Sequence, residues 1–178
     1  VYILSECSEV SYSVRHIAAV SPEDCTPDRG AFPNSNNVRF NTRTERWEAF
    51  DLPLGCNWFY YTFTDECGNS TECVFDIYVE DDVPPIAVCD HFTTVSLGDD
   101  GTARAWAATF DDGSLDNCGI DSMDVRRMDT TCVGNADEFG PYVEFCCDDV
   151  DKPIMVVFRV FDEAGNTNIC MVEVDVQD

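Results

Sequence analysis

The residues with chemical reach in this chain are its thiols and carboxylates: 11 Cys and 35 Asp plus Glu, against 10 Lys plus Arg and 2 His. Thiols at this density can pair as disulfides or hold a metal. Zinc sites draw on close ligand pairs such as Cys-x-x-Cys, often with His. No Cys-x-x-Cys occurs, and Cys146-Cys147 is a vicinal pair with the wrong spacing. Disulfides in an oxidising compartment are the expected use. His16 and His91 fall in different halves of the chain, so no Ser-His-Asp or Cys-His arrangement follows from spacing. A nucleophilic Cys needs basic neighbours to lower its pKa, which so acidic a chain lacks. The chain is therefore expected not to be an enzyme.

The carboxylates admit two readings. Asp81, Asp82, Asp116, Asp162 and Glu163 are expected to converge at one end of a domain, with Glu80, Asp111 and Asp112 nearby. Six to eight hard oxygen ligands suit Ca²⁺, and without a cation like charges at close range repel. The other reading is solvated loop carboxylates, with Asp and Asn chosen for turn geometry. No EF-hand loop is present. Nothing places a carboxyl pair across a cleft as glycoside hydrolysis requires.

A net charge of −25 excludes generic attraction to nucleic acid or anionic membrane. No run reaches transmembrane length, and no signal-peptide pattern is present. With so many cysteines, the expectation is a mature or excerpted piece of an exported protein.

The elements that must position these groups announce themselves by repetition. Residues 61–81 align without a gap on residues 158–178, a spacing of 97. Asp65, Glu66, Gly68, Asn69, Cys73, Val79 and Asp81 recur as Asp162, Glu163, Gly165, Asn166, Cys170, Val176 and Asp178. Cys7 and Arg15 recur as Cys118 and Arg126, 111 positions on. Such self-similarity marks a building unit of an array. The segments on either side of the repeated Asp-Glu-x-Gly-Asn motif are β-branched and aromatic, several with alternation, so the motif reads as a hairpin turn. Short antiparallel strands over about 95 residues indicate an all-β fold of two tandem immunoglobulin-like β-sandwiches, stapled by disulfides. Pro84-Pro85 places the domain boundary at 1–82 and 83–178, joined by a stiff link. Pro84 to Cys89 is expected to form the first edge strand of the second domain.

The copies disagree at their beginnings. About 34 residues of the second domain precede Cys118, while six precede Cys7. The first domain is thus expected to lack its N-terminal strands and to be completed by another segment or subunit, because a sandwich without them exposes sheet edges. Cysteine parity agrees. If Cys89 on the first strand pairs with Cys170 on the last, the counterpart Cys73 is left unpaired or bonds to another molecule. Cys7 is expected to pair with Cys67, since the loops that carry them share one end of the sandwich, and Cys25 with Cys56. Ala164 replaces the counterpart of Cys67, so Cys118 is expected to pair with Cys132, Cys146 or Cys147.

Trp58, Phe59, Tyr60 and Tyr61, with Trp47 and Phe50 nearby, could stack on sugars, but strand spacing favours core. Arg39, Arg43 and Arg46 form a basic cluster that could dock an acidic neighbour or lie on a solvated hairpin. Asn69-Ser70-Thr71 is an N-linked sequon lying inside the turn motif. Asp121-Ser122-Met123 and Asp129-Thr130-Thr131 resemble the Asp-Ser/Thr-apolar O-glycosylation sites of secreted proteins of Bacteroidetes-type bacteria, a resemblance that implies Ser122 and Thr130 as candidate sites.

Pro84, Pro85 and Cys89; Asp116, Asn117, Cys118 and Gly119; and Asp162, Gly165, Asn166 and Cys170 together resemble the signature of the hyalin-repeat type of immunoglobulin-like domain. The cysteine-rich form resembles repeats of large secreted surface proteins of Bacteroidetes-type bacteria. The resemblance implies an extracellular filament or cell-surface adhesin whose partners are copies of itself or adjacent repeats. A Ca²⁺-dependent carbohydrate-binding module of a secreted enzyme, with surface glycans as partner, is the alternative.

Overall fold

The computed structural model describes residues 9–18, 25, 37–132 and 138–178. Every long element among them is a strand, and the chain divides into two compact units, Val1–Glu80 and Asp81–Asp178.

In the first unit, β1 (Val10–Ala18), β4 (Gly55–Asp65) and β5 (Ser70–Val79) form an antiparallel sheet in the order β1-β4-β5. The short strands β2 (Val38–Asn41) and β3 (Arg46–Ala49) form a separate hairpin. Side chains alternate across the sheet. One face carries Ile17, Cys56, Trp58 and Tyr60, buried together with Val74 packed against them. The other carries His16, Phe59 and Phe75, whose rings contact one another across the register.

In the second unit, β6 (Phe92–Ser96), β11 (Thr167–Gln177), β10 (Pro153–Asp162) and β8 (Ile120–Arg127) form a four-stranded sheet in that order. β6 runs parallel to β11 and the other pairs are antiparallel. β7 (Thr102–Trp106) and β9 (Tyr142–Cys146) form a second sheet. Alternate residues of β10 (Ile154, Val156, Phe158, Val160) and β11 (Val172, Val174, Val176) meet Ala105, Val143 and Phe145 of the small sheet in one core. A fully buried side chain of this size contributes about 1.5–3 kcal/mol, so this contiguous apolar face holds the unit together.

The alternation predicted for the repeated segments is what aligns the units: β4 and β5 correspond to β10 and β11, and β1 to β8. In both copies the intervening turn is built alike. The Asn69 N–H donates to Asp65 Oδ1 at 2.9 Å, and the Asn166 N–H donates to Asp162 Oδ1 at 2.8 Å. Gly68 and Gly165 take φ of 84° and 87°, a conformation that favours glycine. The first strand of the second unit lies later than expected. Residues Pro84 to Cys89 contribute only two isolated bridges, Ile86 to Leu115 and Cys89 to Asp111, and the edge strand is β6. Two prolines without N–H groups cannot sustain a ladder there.

A buried ion pair fastens the far end of β8. Arg127, on the same face as Val125, donates through both terminal guanidinium nitrogens to Asp149, at 2.7 and 2.8 Å. It also reaches Asp129 at 2.7 Å and the Glu144 carbonyl at 2.7 Å. Burial raises the Asp149 carboxyl pKa, but hydrogen bonds from Arg127 and the Cys146 N–H outweigh it and hold the carboxyl below its ordinary value. This stabilisation is complete above the unfolded pKa of about 4 and is lost as the pH falls through the lower folded-state value. Replacement of Asp149 by Ala removes the buried partner of Arg127 and leaves it only the half-exposed Asp129 carboxylate, and urea unfolding at neutral pH should show a loss of up to about 3–5 kcal/mol. The difference between variant and parent should shrink when the same titration is run below pH of about 4.

Candidate functional site

Two features concentrate chemistry: a carboxylate-thiol cluster at the start of the second unit, and the outer edge of β5 in the first.

The cluster is organised by turns. In the residues leading into β8, Asp116 Oδ2 accepts the N–H groups of Cys118 and Gly119 at 2.7 and 3.1 Å. This Asx-type turn continues through Gly119 at φ 125°. A Cβ on Gly119 would meet Glu163 Oε1 at 3.2 Å, so the glycine makes room for that side chain. Asp81 sits opposite. Its Oδ1 accepts the Val83 N–H at 3.1 Å and Asn117 Nδ2 at 3.4 Å, while its carbonyl accepts Asn166 Nδ2 at 2.8 Å. Asn168 Nδ2 donates to the Pro85 carbonyl at 2.9 Å. The entry segment is therefore tied to the β10–β11 hairpin by two asparagines.

Of the five carboxylates proposed as a Ca²⁺ set, this arrangement brings together Asp81 and Asp116, and it adds Cys118. Ligand atoms of these three lie within 4.8 Å of one another. Asp162 is buried with both oxygens occupied by Asn166, at 2.8 Å from its N–H and 2.9 Å from its Nδ2. Glu163 lies against Gly119, and Asp82 is exposed. Asp111 Oδ1 accepts the Ser114 N–H, and Asp112 is exposed. A hydrogen bond to Asp81, then burial and the charges of Asp81 and Asp116, push the Cys118 thiol above its ordinary pKa.

The cysteines fall into three groups. Disulfides join Cys25 to Cys56, Cys89 to Cys170 and Cys132 to Cys146. Cys67 is also disulfide-bonded, and Cys7, its expected partner, lies outside the described residues. Cys73, Cys118 and Cys147 are free and exposed. The expected pairing of Cys118 with Cys132, Cys146 or Cys147 is therefore corrected. Cys118 precedes the first residue of β8 and Cys132 follows its last, so eight strand residues separate them. At about 3.3 Å per residue, that distance is far beyond disulfide reach.

The second feature emerges when the copies are superposed by sequence. Cys89 precedes Phe92 by three residues, and Cys170 precedes its register partner Glu173 by three, so the disulfide continues the parallel ladder of β6 and β11. The counterparts of Cys170 and of residues 173–177 are Cys73 and residues 76–80. On β5 that edge carries no strand among the described residues, and Cys73 is free. Phe75 and Ile77 are each 41% exposed, whereas their counterparts Val172 and Val174 are each 0% exposed. Tyr61 and Phe63 are half-buried where Phe158 and Val160 are fully buried.

The remaining sites are plainer. Trp58, Phe59 and Tyr60 are buried and Tyr61 is half-buried, so they pack the sheet and form no open stacking platform. Trp47 contacts Phe40 across the β2–β3 hairpin, and Phe50 lies beneath the Arg39 guanidinium. Arg39 pairs with Glu48 at 3.5 Å on that exposed hairpin, and Arg43 and Arg46 are exposed there too. His16 is buried, its Nε2–H donating to Asn57 Oδ1 at 2.9 Å, and burial lowers its pKa. His91, Ser122, Thr130 and Asn69 are exposed. Comparison with known proteins finds no matching family and no similar curated protein.

Because the Asp81 carboxylate is the first of the causes that raise the Cys118 thiol, ahead of burial and Asp116, Asp81→Asn should speed alkylation of Cys118 by iodoacetamide in chelator-treated buffer. Peptide mass spectrometry, with Cys147 as internal reference, reads the change. An unchanged rate would remove Asp81 as the cause.

Proposed function

We propose that this chain is a structural segment of an extracellular fibre or surface adhesin array, built of immunoglobulin-like domains of the hyalin-repeat type. In this reading the first domain is completed by a strand from a neighbouring repeat. The observation that carries it is the contrast between β5 and β11: the same sequence motif, with its inner face buried and its edge paired in one copy, exposed and unpaired in the other.

The second unit offers a pattern for what would fill the gap. The occupant is an extended segment running parallel to β5, with a cysteine three residues before its first paired residue. It resembles Cys89 to Ser96 in direction, register and chemistry. Strand addition of this kind supplies main-chain hydrogen bonds along the edge, while its alternate side chains cover the apolar face. A bond to Cys73 would then make each junction covalent. The layered core of the second unit, its pairing of β10 with β8 and β11, and its cross-strand disulfide support the immunoglobulin-like assignment. Disulfides in both units fit an oxidising, non-cytoplasmic compartment, and the acidic surface opposes nonspecific collapse of a long fibre.

A peptide of residues 84–97, added to the full chain under mildly oxidising conditions, tests the reading. It should form a mixed disulfide with Cys73 and slow amide hydrogen exchange at Asp76, Tyr78 and Glu80, whose counterparts in β11 face β6. A scrambled peptide that keeps its cysteine should leave those amides unprotected. Failure of the native-order peptide to react, or reaction without protection of β5, would contradict strand completion.

A further inference from the structure

Asp81 and Asp116 present an electrostatic problem that the Cys118 thiol, hydrogen-bonded to the Asp81 carboxylate, relieves only in part. Asp81 is 9% exposed, and its Oδ2 is buried without a hydrogen-bond partner. Asp116 Oδ1 is likewise buried and without a partner. The other oxygen of each is committed to backbone or Asn donors, so both carboxylates are fixed in place and cannot swing their bare oxygens into water. A buried acceptor left without a donor costs about 1–3 kcal/mol, and more when the group is charged. No Arg or Lys of the described residues forms an ion pair with either. The third group at this point is a thiol, Cys118, which makes no disulfide.

We propose that Asp81, Asp116 and Cys118 bind a borderline divalent cation of the zinc class. The bare oxygens Asp81 Oδ2 and Asp116 Oδ1, together with Cys118 Sγ, supply three ligands; water completes a four-coordinate shell. On binding, the Cys118 S–H proton leaves to solvent and the thiolate takes its place on the metal.

The donor set decides against calcium. Ca²⁺ needs six to eight oxygens, whereas the ligand atoms that come together here are two carboxylate oxygens and a thiol, and Asp162, with both oxygens held by Asn166, adds none. A thiolate is a poor ligand for so hard an ion and a good one for zinc. The bound ion would join Asp81, at the entry to the second unit, to the turn that starts β8. That turn is where the first copy has Cys7, and Ala164 stands where the first copy has the disulfide-bonded Cys67. The metal thus takes over, in the second unit, a position where no covalent tie can form to residue 164.

Titration of the full chain with Co²⁺ tests this, in a Cys73→Ser, Cys147→Ser background that leaves Cys118 as the only free thiol among the described cysteines. The proposal expects thiolate-to-cobalt charge-transfer absorption that Zn²⁺ abolishes and millimolar Ca²⁺ does not. Cys118→Ser should remove that band, and Asp116→Asn should weaken binding by about tenfold or more, both with unchanged circular dichroism. Absence of the band, its persistence in Cys118→Ser, displacement of Co²⁺ by Ca²⁺, or Cys118 found oxidised in native material would each overturn the site.

Discussion

The structure turns on how the inner face of the last strand in each unit is kept from water. A β-strand that packs a core on one side needs that face covered, and as an edge strand it also needs its free N–H and C=O groups managed. β11 meets both demands: β6 pairs with it and the β7–β9 sheet contributes to the core that covers it. Cys89–Cys170 locks β6 in register, closing a separation of 81 residues. Constraining so long a loop in the unfolded chain is worth several kcal/mol in the chain-entropy account. β5 carries the same motif with neither the partner strand nor the bond among the described residues. The proposed assembly function rests on this asymmetry.

The repeat made much of this legible. Alignment at 97 residues fixed which strands correspond, and Asp-x-x-Gly-Asn identified both hairpin turns, because the Asx hydrogen bond and the positive-φ glycine are local chemistry that sequence records directly. Cysteine parity singled out Cys73 for the same reason: a missing counterpart can be counted without knowing the fold. What escaped was set by the third dimension. The position of β6 depended on where the chain turns back after Pro84 and Pro85, which propensity does not say. A partner for Cys118 was expected among Cys132, Cys146 and Cys147 because Ala164 removed the counterpart of Cys67, and the sequence did not show that Cys132 and Cys146 bond to each other across the length of β8 from it.

The two polar sites show the same division. Arg127 shares the parity of Val125 on β8, a visible sign that it points into the core. Its partner Asp149 looked like one of several acids in a run and gave no such sign. In the carboxylate cluster the sequence nominated Asp81 and Asp116, but also Asp162, whose role is to fold its own turn. Cys118 could be nominated as a ligand only after its expected disulfide was ruled out. Charge alone was a poor guide, since 35 carboxylates offer many clusters; burial without a donor is what distinguishes this pair.

The central claim is that Cys73 and the edge of β5 are a junction. Mass spectrometry of the native protein under non-reducing conditions tests it most directly, by finding what Cys73 is bonded to. The account predicts a disulfide-linked peptide joining Cys73 to a cysteine of a neighbouring repeat, in a segment of β6-like sequence. A free Cys73 thiol in the native material would contradict it.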